Sequence, residues 1–355
     1  MAARICLYTE QLAPPYDEGY KNFTYHLFRE SASRGEVLRM GRGDSEVIDV
    51  QVRANRLLLS RSLRRALRDF RPDAVIYVPV SSATAVSLVR AGVLKYYAGN
   101  APVAVIGLQP RRYSRLLRPI LRAGAPDVIY VQSEAARKGL EVLGLKAAVI
   151  HAGVDSERFR PVTPSEKARL REKYGIASEE FVVLHVGHIK ERRNLRVLAD
   201  FASIRGLQVV VVGSTSTLRD SDLASWLVKS GVHILDGYLE HVEEVYQLSD
   251  LYVFPVVESV AAIGLPLSVL EAMACNLPVV TTPFGGLSDC FQEGGGLYFV
   301  EDSTELVGKV ELARRSGEAS TRAKVEPFTW RAVAERFFSE IEELTARCSA
   351  QESRG

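Results

Sequence analysis

The chain has 355 residues, 47% of them hydrophobic and 25% charged, with a formal net charge of +2. That length exceeds what one hydrophobic core serves and predicts two domains, and the composition excludes a disordered or fibrous chain. No apolar run approaches the roughly 20 residues that cross a bilayer, and the first residues lack a secretory layout, so a cytoplasmic protein is expected, at most peripheral to the inner face of the cell membrane.

Cys6, Cys275, Cys290 and Cys348 are scattered, with no CxxC pair and no histidine at zinc-ligand spacing. They read as reduced, structural thiols; no metal and no cofactor is expected. The small net charge conceals a polarity. Residues 1–160 carry 25 Lys+Arg against 15 Asp+Glu, and residues 161–355 carry 20 against 28. Between residues 50 and 122 there are 14 basic side chains against Asp69 and Asp73 alone, a field that attracts anionic partners such as phospholipid or lipid-linked phosphate. Nucleic acid is disfavoured as a partner because no recognition motif accompanies the charge.

In chain order, the first half predicts strands at residues 4–9, 37–40, 73–79, 103–108, 127–131 and 147–151, separated by helical stretches such as residues 55–70, where Leu59, Leu63, Ala66, Leu67 and Phe70 form one apolar stripe. Nearly all-apolar strands alternating with helices predict a parallel sheet covered on both faces. From Pro161 to about Glu180 the composition turns charged, which marks a domain boundary. The rhythm then restarts, with strands predicted at 181–186, 208–212, 233–235, 251–255, 279–282 and 297–300, and an amphipathic helix from Arg331 to about Arg347 closes the chain.

Three segments carry chemistry. His151-Ala152-Gly153-Val154-Asp155, followed by Phe159 and Pro161, is a strand end with a glycine turn. The segment from Gly187 to Asn194 leads a buried strand into a glycine, then His188, Lys190, Arg192 and Arg193, with a helix expected to start near Asn194. Cationic side chains beside a helix start suit a diphosphate, although a solvated charged loop has the same composition. In Gly264-Leu265-Pro266-Leu267-Ser268-Val269-Leu270-Glu271, one acid sits in a first helical turn that is otherwise apolar. A buried carboxylate needs a ligand hydroxyl or a cation, unless Glu271 only complements the helix dipole. Asp220-Ser221-Asp222 has the spacing of a metal-binding acid pair but opens a predicted helix, where capping acids are commonplace.

Taken in order, these segments resemble the retaining glycosyltransferases of glycosyltransferase family 4, group 1 type. Gly19 stands at the N-terminal glycine loop, Gly153-Val154-Asp155 with Phe159 and Pro161 is similar to the "GVD…F.P" segment, and Gly187–Asn194 to the "GR…KN" loop. Tyr246 to Asp250 with Phe254-Pro255 resembles the "Y..AD…P" strand, Leu270–Val280 the "LEAMACGLPVV" run, and Phe328-Thr329-Trp330 the "FSW" before the last helix.

The resemblance implies an α/β GT-B fold of two Rossmann-like doubly wound domains facing across a cleft. An acceptor-side domain would span 1–160, a donor domain 161–330, and residues 331–355 would return to the first domain. It implies a metal-independent transfer of a hexose-type sugar, with retention, from a nucleotide diphosphate donor to a saccharide or lipid-linked acceptor. The roles implied are catalytic for Arg193, Glu258 and Lys190, and donor-binding for Glu271, Gly187, His188, Asn194, Gly264, Leu265 and Ser268. Gly19, Lys21 and Arg111 fall on the acceptor side. Two positions depart from the family pattern: His188 replaces an arginine, and Ile263 stands eight residues before Glu271, where the family has the first glutamate of its Glu-x7-Glu pattern, Glu258 being the nearest substitute. These departures leave open a GT-B protein without activity that binds a nucleotide sugar or scaffolds a partner.

Overall fold

The computed structural model describes residues 3–111, 113, 125–214, 219–317 and 319–352. Arg112, Arg115, Arg118 and Arg122, part of the basic stretch read from the sequence, lie outside the described residues.

Two parallel sheets organise the chain. The first contains β1 (Ile5–Tyr8), β2 (Val37–Gly41), β3 (Val50–Gln51), β4 (Ala74–Tyr77), β5 (Val103–Gly107), β6 (Val128–Val131) and β7 (Ala147–Val149), in the spatial order β3-β2-β1-β4-β5-β6-β7. The second contains β8 (Phe181–Val186), β9 (Leu207–Val212), β10 (His233–Leu235), β11 (Leu251–Phe254), β12 (Val279–Thr281) and β13 (Leu297–Phe299), in the order β10-β9-β8-β11-β12-β13. In each sheet the order reverses direction once, between β1 and β4 and between β8 and β11. Sheets of this kind leave a ligand-sized crevice outside the C-terminal strand ends at such reversals.

The residues form two compact units: 1–152 with 262–265 and 330–355, and 153–261 with 266–329. In the first, Cys6, Tyr8, Val75, Tyr77, Val105 and Ile129 anchor a core within one sheet face. In the second, Val183, Val209, Val211, Val253 and Val280 do so with Phe201 and Leu227. Strands β1, β4, β5 and β11 are buried at every position, as sheets covered on both faces require.

Two local expectations are corrected. The helix expected over residues 55–70 runs only from Arg61 to Phe70. Asn55 Oδ1 accepts from the backbone N–H groups of Leu57 and Leu59 at 3.0 and 2.9 Å, which folds a turn, and Ser60 then caps the helix by accepting from Leu63 N–H. Arg56 therefore lies outside that helix. The closing helix extends further than expected, from Trp330 to Glu352, and joins the first unit: Trp330 stacks on His26 with ring centroids 4.7 Å apart, and Phe337 meets Tyr130 edge-on at 4.9 Å. The expected boundary segment forms the helix Pro164–Lys173, started by a capping box between Thr163 and Glu166.

Candidate functional site

The second unit gathers its polar groups at the reversal between β8 and β11. β8 ends at Val186, and Gly187 follows with φ 155°, a backbone region favouring glycine. The chain makes one 3₁₀ turn, Glu191–Arg193, and Asn194 then adopts a left-handed conformation at φ 57° before a second 3₁₀ turn, Leu195–Val197. The expected helix start at Asn194 is thus corrected: its positive φ interrupts the run, and the α-helix begins only at Leu198. Asn194 instead ties this loop to the end of β11, its Nδ2 donating to Pro255 O at 3.2 Å.

The loop directs Arg193 inward. It is 8% exposed, its Nε is buried without a hydrogen-bond partner, and its guanidinium forms no ion pair among the described residues. Burial depresses its pKa to about 10, partly opposed by nearby Tyr252, and it remains a cation at neutral pH. A methyl group at Gly187 would collide with Arg193 Nη1, so glycine is what lets the guanidinium lie against the strand end. A desolvated cation lacking a counter-ion is expensive for a fold, an expense that a bound anion would offset.

Behind it stands His185, fully buried on β8, with Nδ1 2.9 Å from Val253 O and Nε2 without a partner. Nδ1 carries the proton, since a carbonyl can only accept. Burial holds the ring pKa down at about 4, so His185 stays neutral and adds no second positive charge beside Arg193.

Glu271 occupies the helix Leu267–Ala274, in its second turn and not in the first as the sequence suggested. Its Oε2 accepts from Tyr246 Oη at 2.7 Å. Burial pushes its pKa up to about 7, partly offset by that hydrogen bond. Tyr252 and half-buried Ser268 complete the group; the Tyr252 hydroxyl hydrogen-bonds Ser268 and lies 3.4 Å from Val186 O. Tyr246 lies on a short helix, Glu243–Gln247, and not on a strand, with its ring edge-on to Phe159 at 5.5 Å.

Tyr246, Tyr252 and His185 escaped assignment as site residues because, in apolar runs, each reads as core. The available signal was phenol and imidazole groups on elements flanking the Gly187 and Glu271 segments. Asp250, four residues beyond Tyr246, is structural: it pairs with Lys167 and Arg171 and accepts from Val182 N–H at 2.7 Å.

The remaining expected site residues separate. Lys190 is half-buried, and its ammonium makes no hydrogen bond or ion pair among the described residues. His188 is half-buried on the same loop. Glu258 is exposed, and among the described residues its one hydrogen bond is backbone, its carbonyl accepting from Ala261 N–H at 2.9 Å. Ile263, Gly264 and Leu265 belong to the first unit. Ile263 lies 3.1 Å from where a Cβ on Gly19 would stand, and Leu265 N–H donates to Gln132 Oε1 at 3.0 Å. Gly264 N–H donates to Leu108 O at 2.7 Å, with no room for a side chain against Gln132. Also in the first unit, Lys21 Nζ reaches Pro15 O at 3.4 Å and Arg111 donates to Ser81 O at 2.9 Å. Asp220 caps the helix Ser221–Lys229, and among the described residues no group of three or more His, Cys, Asp or Glu side chains is placed to hold a metal.

Residues 180–313 match the family model of Glycosyl transferases group 1. Over an alignment 382 positions long, gaps included, the chain is 27% identical to the sulfoquinovosyl transferase SQD2 of Arabidopsis thaliana, covering 95% of this chain and 73% of that protein. It is 29% identical to EpsD of Bacillus subtilis strain 168 over 197 residues, a match spanning 51% of this chain and about half (51%) of that relative's length. Among solved structures, HepE of Anabaena in complex with UDP-glucose shares the fold with a TM-score of 0.73 at 16% identity, over 96% of this chain and 99% of that one. The two parallel α/β sheets are those of GT-B glycosyltransferases.

Proposed function

We propose that this chain, whose residues 180–313 match the model of the group 1 glycosyl transferases, transfers a hexose-type sugar with retention, and without a metal, from a nucleoside diphosphate donor to a saccharide or lipid-linked acceptor. The observation that carries this reading is the buried Arg193 guanidinium, without an ion-pair partner among the described residues, at the reversal of the second sheet, with Tyr252 between it and the half-buried Glu271 carboxyl as a neighbour of both. As the sugar–phosphate bond breaks, negative charge builds on the leaving diphosphate; a fixed, desolvated guanidinium stabilises it, with Lys190 on the same loop as a second cation. Glu271 accepts ribose hydroxyl protons while Tyr246 orients its carboxylate. That HepE binds UDP-glucose supports a nucleotide sugar as donor.

The test is release of nucleoside diphosphate from a panel of UDP-, GDP- and ADP-sugars, read beside thermal stabilisation by each. Stabilisation and release by the same donor is the expected result. Stabilisation by a nucleotide with no release from any donor, toward water or added acceptors, would replace transfer with binding; Ile263, an apolar residue buried in the first unit where the family has an acid, favours that second reading.

The first unit supports an acceptor reached at an anionic membrane surface. On the helix Ala85–Tyr97, Val86, Val89 and Tyr96 are exposed on one face, with exposed Leu57 and Leu59 nearby in sequence to the basic helix. Arg64 covers the Tyr96 ring at 5.7 Å, and Arg61, Arg65 and Arg68 are exposed on the helix Arg61–Phe70. Each basic residue near such a leaflet contributes about 1 kcal/mol. In liposome flotation the protein should bind vesicles containing phosphatidylglycerol, ignore phosphatidylcholine alone, and dissociate as salt rises; binding indifferent to lipid charge would leave a soluble acceptor.

A further inference from the structure

His185 is the one polar side chain of β8, set between Leu184 and Val186 in an otherwise apolar strand. An imidazole buried there carries a desolvation cost that a phenylalanine would not, and hydrogen bonds must offset it. Only half of the ring is provided for. Nδ1 donates to Val253 O at 2.9 Å, while Nε2, which keeps the lone pair, has no partner among the described residues. Tyr252 and Phe254 flank the ring, each with its centroid 6.3 Å away, and the whole side chain is buried, so Nε2 keeps its direction.

That direction is toward the Gly187 loop. A Cβ on Gly187 would lie 3.4 Å from His185 Nε2 and would collide with Arg193 Nη1, so the bare acceptor and the guanidinium flank the same missing side chain. Arg193 holds the complementary group: its Nε is a donor buried without an acceptor. An unbonded acceptor and an unbonded donor on adjacent buried side chains are each costly, and a small rotation of the guanidinium would relieve both. Burial, with the neighbouring guanidinium, disfavours a charge on the ring, so Nε2 remains an acceptor at neutral pH.

We propose that His185 is a positioning residue for Arg193: as a diphosphate draws the guanidinium, one of its N–H groups donates to His185 Nε2, which fixes the plane of the fork against the phosphate oxygens. The five N–H groups of a guanidinium share one plane, so bonding one of them to a fixed acceptor aims the others in a set direction. A carboxylate in place of the imidazole would hold Arg193 more strongly but would cancel its charge. The neutral ring orients the cation and leaves that charge for the phosphate. The role of His185 in turnover rests on the transferase reading above; its coupling to an anion on Arg193 does not.

The probe is inorganic pyrophosphate, titrated calorimetrically into the full chain without added metal, with Arg193→Ala as the control for position. His185→Asn keeps an N–H near the Nδ1 position for Val253 O and removes Nε2, whereas His185→Gln carries an amide oxygen to the Nε2 position and gives up the Val253 bond. His185→Asn should weaken pyrophosphate binding by about tenfold or more, and His185→Gln by no more than about threefold. A ring that serves only the core predicts the reverse order, and melting curves of both variants read that structural cost separately. Nitrogen-15 histidine spectra follow the same event in the unsubstituted protein, where only 6 histidines contribute signals. The His185 Nε2 resonance should leave the bare-nitrogen range when pyrophosphate is added, while Nδ1 keeps its proton. An Nε2 resonance unmoved at high pyrophosphate, equal affinity in His185→Asn, or pyrophosphate binding that is absent or indifferent to Arg193→Ala overturns the proposal. Donors that release no nucleoside diphosphate, beside this pattern of pyrophosphate binding, would remove transfer and leave His185 in its role; release with an indifferent His185 would remove His185 alone.

Discussion

Arg193→Ala is expected to lower turnover by about 10²-fold or more while leaving the melting temperature of the ligand-free protein within a few degrees of wild type. Most buried arginines would behave otherwise, because their removal strands a carboxylate or a carbonyl. Arg193 has no such partner among the described residues; its Nε is buried unbonded, and burial already depresses its pKa to about 10. Truncation removes an uncompensated charge, which offsets the packing lost with the side chain. The leaving diphosphate alone should register the loss, through turnover and nucleotide affinity. A protein that melts far lower yet turns over normally would make Arg193 a structural residue.

Glu271→Gln should weaken nucleoside diphosphate binding by about 10- to 100-fold above pH 7, since a hydrogen bond to a charged acceptor is worth about 1.5–3 kcal/mol. The effect should shrink as pH falls. Burial raises the folded-state pKa of Glu271 from its ordinary 4.5 to about 7, so below that value the wild-type carboxyl is protonated and must lose its proton to receive ribose hydroxyls as a charged acceptor. Comparing wild type with variant at each pH separates Glu271 from the titration of the nucleotide phosphate. Stability carries the opposite trend. Between pH 4.5 and 7 the folded ligand-free protein binds more protons at Glu271 than the unfolded chain, so this group's contribution falls as pH rises and is fully lost above 7. The shift corresponds to at most about 3 kcal/mol. Thermal melts of the ligand-free proteins should therefore show the variant gaining on wild type from pH 5 to pH 8; parallel melting curves, with equal nucleotide affinity, would remove Glu271 as the anchor.

The strands were legible because parallel strands buried on both faces must be nearly continuously apolar, and β8 begins and ends where such a run does. Gly187, Arg193 and Glu271 were legible because a glycine, a cation cluster and a lone acid interrupt those runs. The tyrosines and His185 were not, since Tyr246 and Tyr252 present mostly carbon and acquire meaning only when a hydroxyl is seen against Glu271 or Ser268. The left-handed Asn194 was equally hidden: asparagine opens helices and breaks them with comparable ease, and the neighbouring residues decide. Two-residue β3 is too short for any periodicity. Ile263 to Leu265 read as the approach to the Glu271 helix, but the Gly264 and Leu265 N–H groups bond Leu108 and Gln132 of the first unit, a long-range pairing that no local pattern encodes.

The Trp330–Glu352 helix belongs to the unit whose sheet was built from the first 152 residues. During synthesis Phe23, His26 and Tyr130 therefore leave the ribosome long before Trp330 and Phe337, the rings that meet them, have been made. At about 5–20 residues per second, the entire second unit intervenes for on the order of ten seconds or more. The unit begun first is finished last. Its apolar face stays uncovered by that helix through the interval, and the second unit, nearly contiguous in the chain, can close ahead of it.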